Sequence, residues 1–203
     1  MRQAIQALRP CPRLSIKGEL LFSCLVALLG LVMGFVAKAT DSVSVIGEIG
    51  TELGVWVFAA ALIAAYSRHV LCAAANVLVF FLCVLASYYL YGYFVLGFFP
   101  KAYFVGWLAV AMGSPLPGAL LWFSRARGAV GAVLSALPAA VLFHHGYPAF
   151  YTHRFSLFFS LTLGVSCCLL LPRTAKQKAL AAAGAITLAV ALYALRGLGL
   201  FPF

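Results

Sequence analysis

Apolar and polar stretches alternate along this chain on the length scale of whole helices. Seven apolar runs, at about 20–37, 50–66, 70–91, 104–123, 129–143, 155–171 and 179–195, are separated by short polar segments. A helix that crosses the hydrocarbon of a bilayer needs about 20 apolar residues. The pattern predicts an all-α fold, a polytopic transmembrane bundle of about seven helices. The expected organisation is a basic cytoplasmic tail at 1–19, a single bundle at 20–195 and a short outer tail at 196–203.

The polar segments set an orientation. Cytoplasmic loops carry an excess of Lys and Arg. Arg2, Arg9, Arg13 and Lys17 precede the first run, Arg68 follows the second, Arg125 and Arg127 follow the fourth, and Arg173, Lys176 and Lys178 follow the sixth. Only Lys38, Lys101, Arg154 and Arg196 fall on the other side. The alternation predicts a cytoplasmic N-terminus and an outer C-terminus. Ala37-Lys38-Ala39 fits a small-x-small cleavage site, but the run before it is longer than the 7–15 residues usual in a signal peptide. It is read as a retained first helix. Trp107 and Trp122 lie about 22 Å apart along the fourth run, at 1.5 Å per residue, and suggest its two interfaces. Tyr88, Tyr89, Tyr91 and Tyr93 suggest an interfacial belt where the third run ends. Gly30 with Gly34, and Gly50 with Gly54, make two G-x-x-x-G faces suited to close helix packing, inside the chain or against a second copy.

Composition narrows the classes. Of 203 residues, 65% are hydrophobic and 9% charged, against about 25% charged in a soluble domain. The fourteen Lys and Arg exceed the four Asp and Glu, but most mark topology, and no soluble face is left for nucleic acid. The lipid bilayer is the expected partner, beside a small-molecule ligand and a membrane-protein partner or second copy. Cys24, Cys72, Cys83, Cys167 and Cys168 fall in apolar runs, which argues against a structural disulfide framework, and the vicinal pair Cys167-Cys168 reads as small packing residues. No cofactor is expected apart from a divalent metal at the histidine cluster described next.

Three features are candidates for chemistry. Gly113-Ser114-Pro115-Leu116-Pro117-Gly118 interrupts the fourth run near its middle. Two prolines free backbone carbonyls there, as at transporter sites built on broken helices, unless Ser114 or a neighbouring helix satisfies them. Asp41, Glu48 and Glu52 lie on the expected outer side together with His144, His145 and His153. Carboxylates and imidazoles on one surface suit a solute or acid–base chemistry. Glu48, Glu52, His144 and His145 are the ligands expected for a divalent metal. The plainer reading of this set is solvated loop ends. Asn76, inside the third run, is either interhelical glue or a ligand contact. No nucleotide-binding loop, serine elbow or paired C-x-x-C motif is present.

The stretch Ile49-Gly50-Thr51-Glu52-Leu53-Gly54-Val55-Trp56-Val57-Phe58, with Leu62-Ile63-Ala64-Ala65-Tyr66-Ser67 and Ala74-Ala75-Asn76, resembles a family of small integral membrane proteins of Gram-positive bacteria with no assigned function. Ala86-Ser87-Tyr88-Tyr89-Leu90-Tyr91 and Phe98-Phe99-Pro100-Lys101 carry the same resemblance. It implies the bacterial cytoplasmic membrane and no mechanism. In size and hydropathy the chain is also similar to the substrate-binding subunits of energy-coupling-factor vitamin transporters, which usually have six helices and both ends inside. Together these readings point to small-solute binding or transport from the outer side. The alternatives are a membrane enzyme with an outer His/carboxylate site and a non-catalytic accessory or scaffold protein.

Overall fold

The computed structural model describes residues 9 and 16–197. Most of the expected tail at 1–19 and all but two residues of the expected outer tail lie outside them. Among the described residues the regular structure is helical, with no strand. The helices are α1 (Ile16–Ala39), α2 (Ser44–Thr51), α3 (Leu53–Tyr66), α4 (Val70–Leu96), α5 (Lys101–Gly113), α6 (Pro115–Trp122), α7 (Gly128–Gly146), α8 (Ala149–Thr152), α9 (Phe155–Leu170) and α10 (Ala175–Gly197). A 3-10 turn, Phe123–Arg125, follows α6.

Each of the seven apolar runs is helical. Among the described residues five spans are long and apolar enough to cross a membrane: α1, α4, α10, the α5–α6 stretch Lys101–Arg125, and α7 with α8, Gly128–Thr152. The other two runs form shorter helices, α3 of 14 residues and α9 of 16. At 1.5 Å per residue these reach about 21–24 Å, less than a hydrocarbon core of about 30 Å. Large apolar side chains cover the surface: Leu71, Phe94, Tyr103 and Leu116 are each more than 70% exposed. Such a surface suits lipid, because soluble proteins rarely expose large contiguous apolar patches.

The described chain forms two compact units, 16–51 with 62–122, and 52–61 with 123–197. In the first, α1 packs along α4. A Cβ on Gly30 would stand 2.6 Å from the Phe80 carbonyl oxygen, and Gly34 lies as tightly against Val84 and Ser87. Gly50 abuts the Ala37 backbone at 3.2 Å. These faces are therefore filled within the chain. On α6, Gly118 meets Val77 and the Ala73 carbonyl of α4. Trp122 is wholly buried and donates its indole N–H to the Ser67 carbonyl at 3.0 Å. It is a core residue and not the interfacial anchor expected of it, because its polar atom has a buried partner.

In the second unit α7 lies against α9 and α10. Gly164 approaches the Phe143 ring, and Gly146 approaches Leu161 and the Leu157 carbonyl. Gly54, on α3, approaches Ser160 and Leu142. Gln177 ties the start of α10 to the turn before α7. Its side-chain NH2 donates to the carbonyls of Ala126 at 2.8 Å and Gly128 at 3.0 Å. Its side-chain oxygen accepts from the backbone N–H of Arg173 and Thr174.

Candidate functional site

At the break in the fourth run, the carbonyl freed by Pro115 is satisfied within the chain. Pro115 cannot donate to the carbonyl four residues before it, that of Ala111. Ser114 supplies the missing partners, its hydroxyl donating to Ala111 O at 2.7 Å and its own N–H at 3.1 Å. Ser114 is buried and keeps right-handed helical backbone angles. Its hydrogen bonds carry the chain from α5 into α6.

Asn76 is likewise occupied. Its side-chain carbonyl accepts from the Ser23 hydroxyl at 2.7 Å and its NH2 donates to the Ser67 hydroxyl at 3.1 Å. The Ser67 hydroxyl in turn donates to Ile63 O at 2.7 Å. This chain ties α1, α3 and α4 together inside one unit, and a polar group in an apolar interior needs such partners.

The expected acid and histidine set divides. Asp41 pairs locally with Lys38 at 2.8 Å, whose ammonium also lies 5.0 Å from the centre of the Tyr88 ring. Glu48 is exposed on α2. α2 ends at Thr51, so Glu52 lies outside it. His153 is exposed, adopts a left-handed backbone (φ 55°) and closes α8 by donating its N–H to Ala149 O at 3.1 Å. That is a capping role, one of the few a non-glycine residue fills at positive φ.

Glu52 and His145 meet. Glu52 is the single residue between α2 and α3, and its carboxylate is 14% exposed. One carboxylate oxygen is hydrogen-bonded to Nε2 of His145, in the last turn of α7. The other accepts from the Ser156 hydroxyl, in the first turn of α9, at 3.1 Å. Thus a helix interruption, a helix end and a helix start converge on one acid. The packing of Gly54, Gly146 and Gly164 lets these elements come so close. His144 points about 100° away from His145 around α7, as neighbours on a helix must. Of the expected set, Glu52 and His145 come together, and Ser156 joins them without having been expected.

A second polar cluster lies in the other unit, made entirely of residues outside the expected set. Glu19 falls in the first turn of α1, which starts at Ile16, so it is not part of a tail. One of its oxygens pairs with Arg68 Nη1 at 3.0 Å. The other takes a hydrogen bond from the Cys72 thiol and lies 4.0 Å from His69 Nε2. Cys72 Sγ is 3.1 Å from the same His69 nitrogen. His69 is the N-cap of α4, its Nδ1 accepting from the Cys72 N–H at 3.5 Å. The spacing explains the contact: residues three apart at a helix start share one face. Cys72 is thus more than packing. By contrast, Cys167 and Cys168 are buried free thiols, in keeping with the packing role expected of them.

Two further features frame these clusters. Arg173 lies near Arg125 and Arg127; burial first, and then those two positive charges, hold it below the usual arginine value. An open groove of about 350 Å³ along α5, lined by Ala102, Tyr103, Gly106, Trp107 and Val110, is almost purely apolar. Neither polar cluster contributes to it, and a face of this kind suits acyl chains better than a polar solute. Comparison of the chain with protein-family models, with curated proteins and with solved structures finds no match.

Proposed function

We propose that this chain is a multi-pass protein of a bacterial cytoplasmic membrane that binds, and carries inward, a small solute bearing hydrogen-bond donors or a positive charge. The proposed topology has the N-terminus inside, seven membrane segments and the Glu52 site facing outward. The regular alternation of basic residues supports it. On this topology Arg125, Arg127 and Arg173 face anionic headgroups on the inner side.

One observation carries the solute reading: Glu52, His145 and Ser156 converge from three elements on a helix interruption. Carboxylates are rare and usually functional within membrane-spanning protein. Broken helices are where transporters place such groups. The order of the contacts favours binding over nucleophilic catalysis. An activated serine passes its proton to an imidazole that a carboxylate orients. Here the carboxylate stands in the middle, so Ser156 donates to Glu52 and not to His145. A scaffold reading draws on the two G-x-x-x-G faces, yet Gly30, Gly34, Gly50 and Gly54 all abut residues of the chain itself.

The test is a thermal-shift screen of the purified protein in detergent against small amines, amino acids, sugars and vitamins. The expected result is a solute that raises the melting temperature of the wild type and not of Glu52→Gln. No stabilising solute, or an equal shift in Glu52→Gln, contradicts the reading.

A further inference from the structure

We propose that Glu19, His69 and Cys72 form a binding site for a zinc-like divalent transition metal. The proposal is independent of the Glu52 site and rests on a different unit of the fold. One ligand atom from each of the three residues lies within 4.8 Å of the other two.

The geometry is close to that of a bound ion. Zinc holds Cys sulfur at about 2.3 Å and His nitrogen or carboxylate oxygen at about 2.0–2.2 Å, in a tetrahedron. Ligand atoms around such an ion lie about 3.3–3.6 Å apart by the same bond lengths. The Cys72–His69 separation is 3.1 Å and the His69–Glu19 separation is 4.0 Å. Side-chain rotations bring both into range, and the Cys72 sulfur must at the same time draw back from the Glu19 oxygen it now touches.

The surroundings prepare the ligands. Arg68 occupies one Glu19 oxygen, which leaves the other to act as a monodentate ligand. This is the kind of outer-shell contact that orients metal carboxylates. His69 is 44% exposed and offers an entry path. Thiolate with imidazole selects zinc-like metals over magnesium or calcium. A carboxylate and a thiolate place two negative charges beside a divalent ion, with the Arg68 guanidinium on the far Glu19 oxygen adding one positive charge. Binding releases the Cys72 thiol proton to solvent. With metal on Nε2, the His69 ring proton sits on Nδ1, and the hydrogen bond from the Cys72 N–H is given up. At 3.5 Å that bond is at the weak limit. Three protein ligands leave a fourth tetrahedral position open, the arrangement of exchangeable or reactive sites and not of closed structural ones.

The test uses the full chain in detergent, stripped with chelator and titrated with zinc chloride alone against a chromophoric competitor. One zinc per chain is expected. Cys72→Ser and His69→Ala should each weaken binding on the order of 100-fold, while Cys24→Ser, which removes a thiol elsewhere on α1, should leave it unchanged. Should both ligand variants fail to fold, the wild type still decides. Zinc must then protect Cys72 from maleimide, read by mass mapping, and cobalt must give a thiolate charge-transfer band. The proposal is overturned by substoichiometric zinc, by undiminished affinity in the ligand variants, or by Cys72 labelling that zinc does not slow.

Discussion

Two of the chain's four acids sit inside the fold at helix beginnings, and their partners differ. Glu19, in the first turn of α1, faces a guanidinium, a thiol and an imidazole. Glu52, just before α3, faces an imidazole and a hydroxyl. Arginine is always charged, so Glu19 is balanced at every pH of interest. Neither His145 nor Ser156, the two side chains facing Glu52, carries a permanent positive charge. The first arrangement suits a fixed site that holds its geometry. The second holds its carboxylate between an imidazole and a neutral hydroxyl. The packing beneath them differs too. In the unit of Glu19, glycines meet backbone: Gly30 would set a Cβ 2.6 Å from Phe80 O. In the unit of Glu52, Gly54 meets the side chains of Ser160 and Leu142, which can rotate.

That contrast can be broken in order of effect. Gly30→Ala should be the most damaging, about 3 kcal/mol by thermal unfolding in detergent, because backbone must separate. Asn76→Ala should cost about 2 kcal/mol in the same assay, since the Ser23 and Ser67 hydroxyls both lose a partner. Glu19→Gln should cost about 1–2 kcal/mol, less than a fully buried pair, because Arg68 is left unpaired in a partly exposed position. Gly54→Ala should change stability by less than about 1 kcal/mol, because the helix-propensity gain of alanine offsets the rotation it forces on Ser160. Ser156→Ala should be the mildest, about 0.5–1 kcal/mol for one hydrogen bond. If Gly54→Ala proves as costly as Gly30→Ala, the distinction between backbone and side-chain contact fails.

The helices were legible because long apolar runs leave few alternatives: each run is helical, and five spans among the described residues are long enough to cross a membrane. Their lengths were less so. Nothing in the run from Gly50 to Tyr66 announces that helix stops at Thr51 and resumes at Leu53, placing Glu52 at the interruption. Asn76 and Ser114 were legible as polar groups needing partners, and each has them within the chain. Trp122 was misread as an anchor because an aromatic near a run's end looks the same whether it faces lipid or core. Glu19 was missed by one residue: the apolar run was started at Leu20, which assigned the acid to a tail. His69 and Cys72 carried a usable signal, two ligand types three apart at a helix start. Cysteine in an apolar run reads as packing until a carboxylate from 53 residues away reaches it. Ser156 carried no signal, since a hydroxyl in a first turn is common and its role depends wholly on which helix lies opposite.

Glu52 and His145 are expected to act as one unit across separate helices. A double-mutant cycle of Glu52→Gln and His145→Ala, read by thermal unfolding, tests it most directly. A coupling of about 1 kcal/mol or more is expected for groups in contact, and additivity within about 0.3–0.5 kcal/mol would contradict the account.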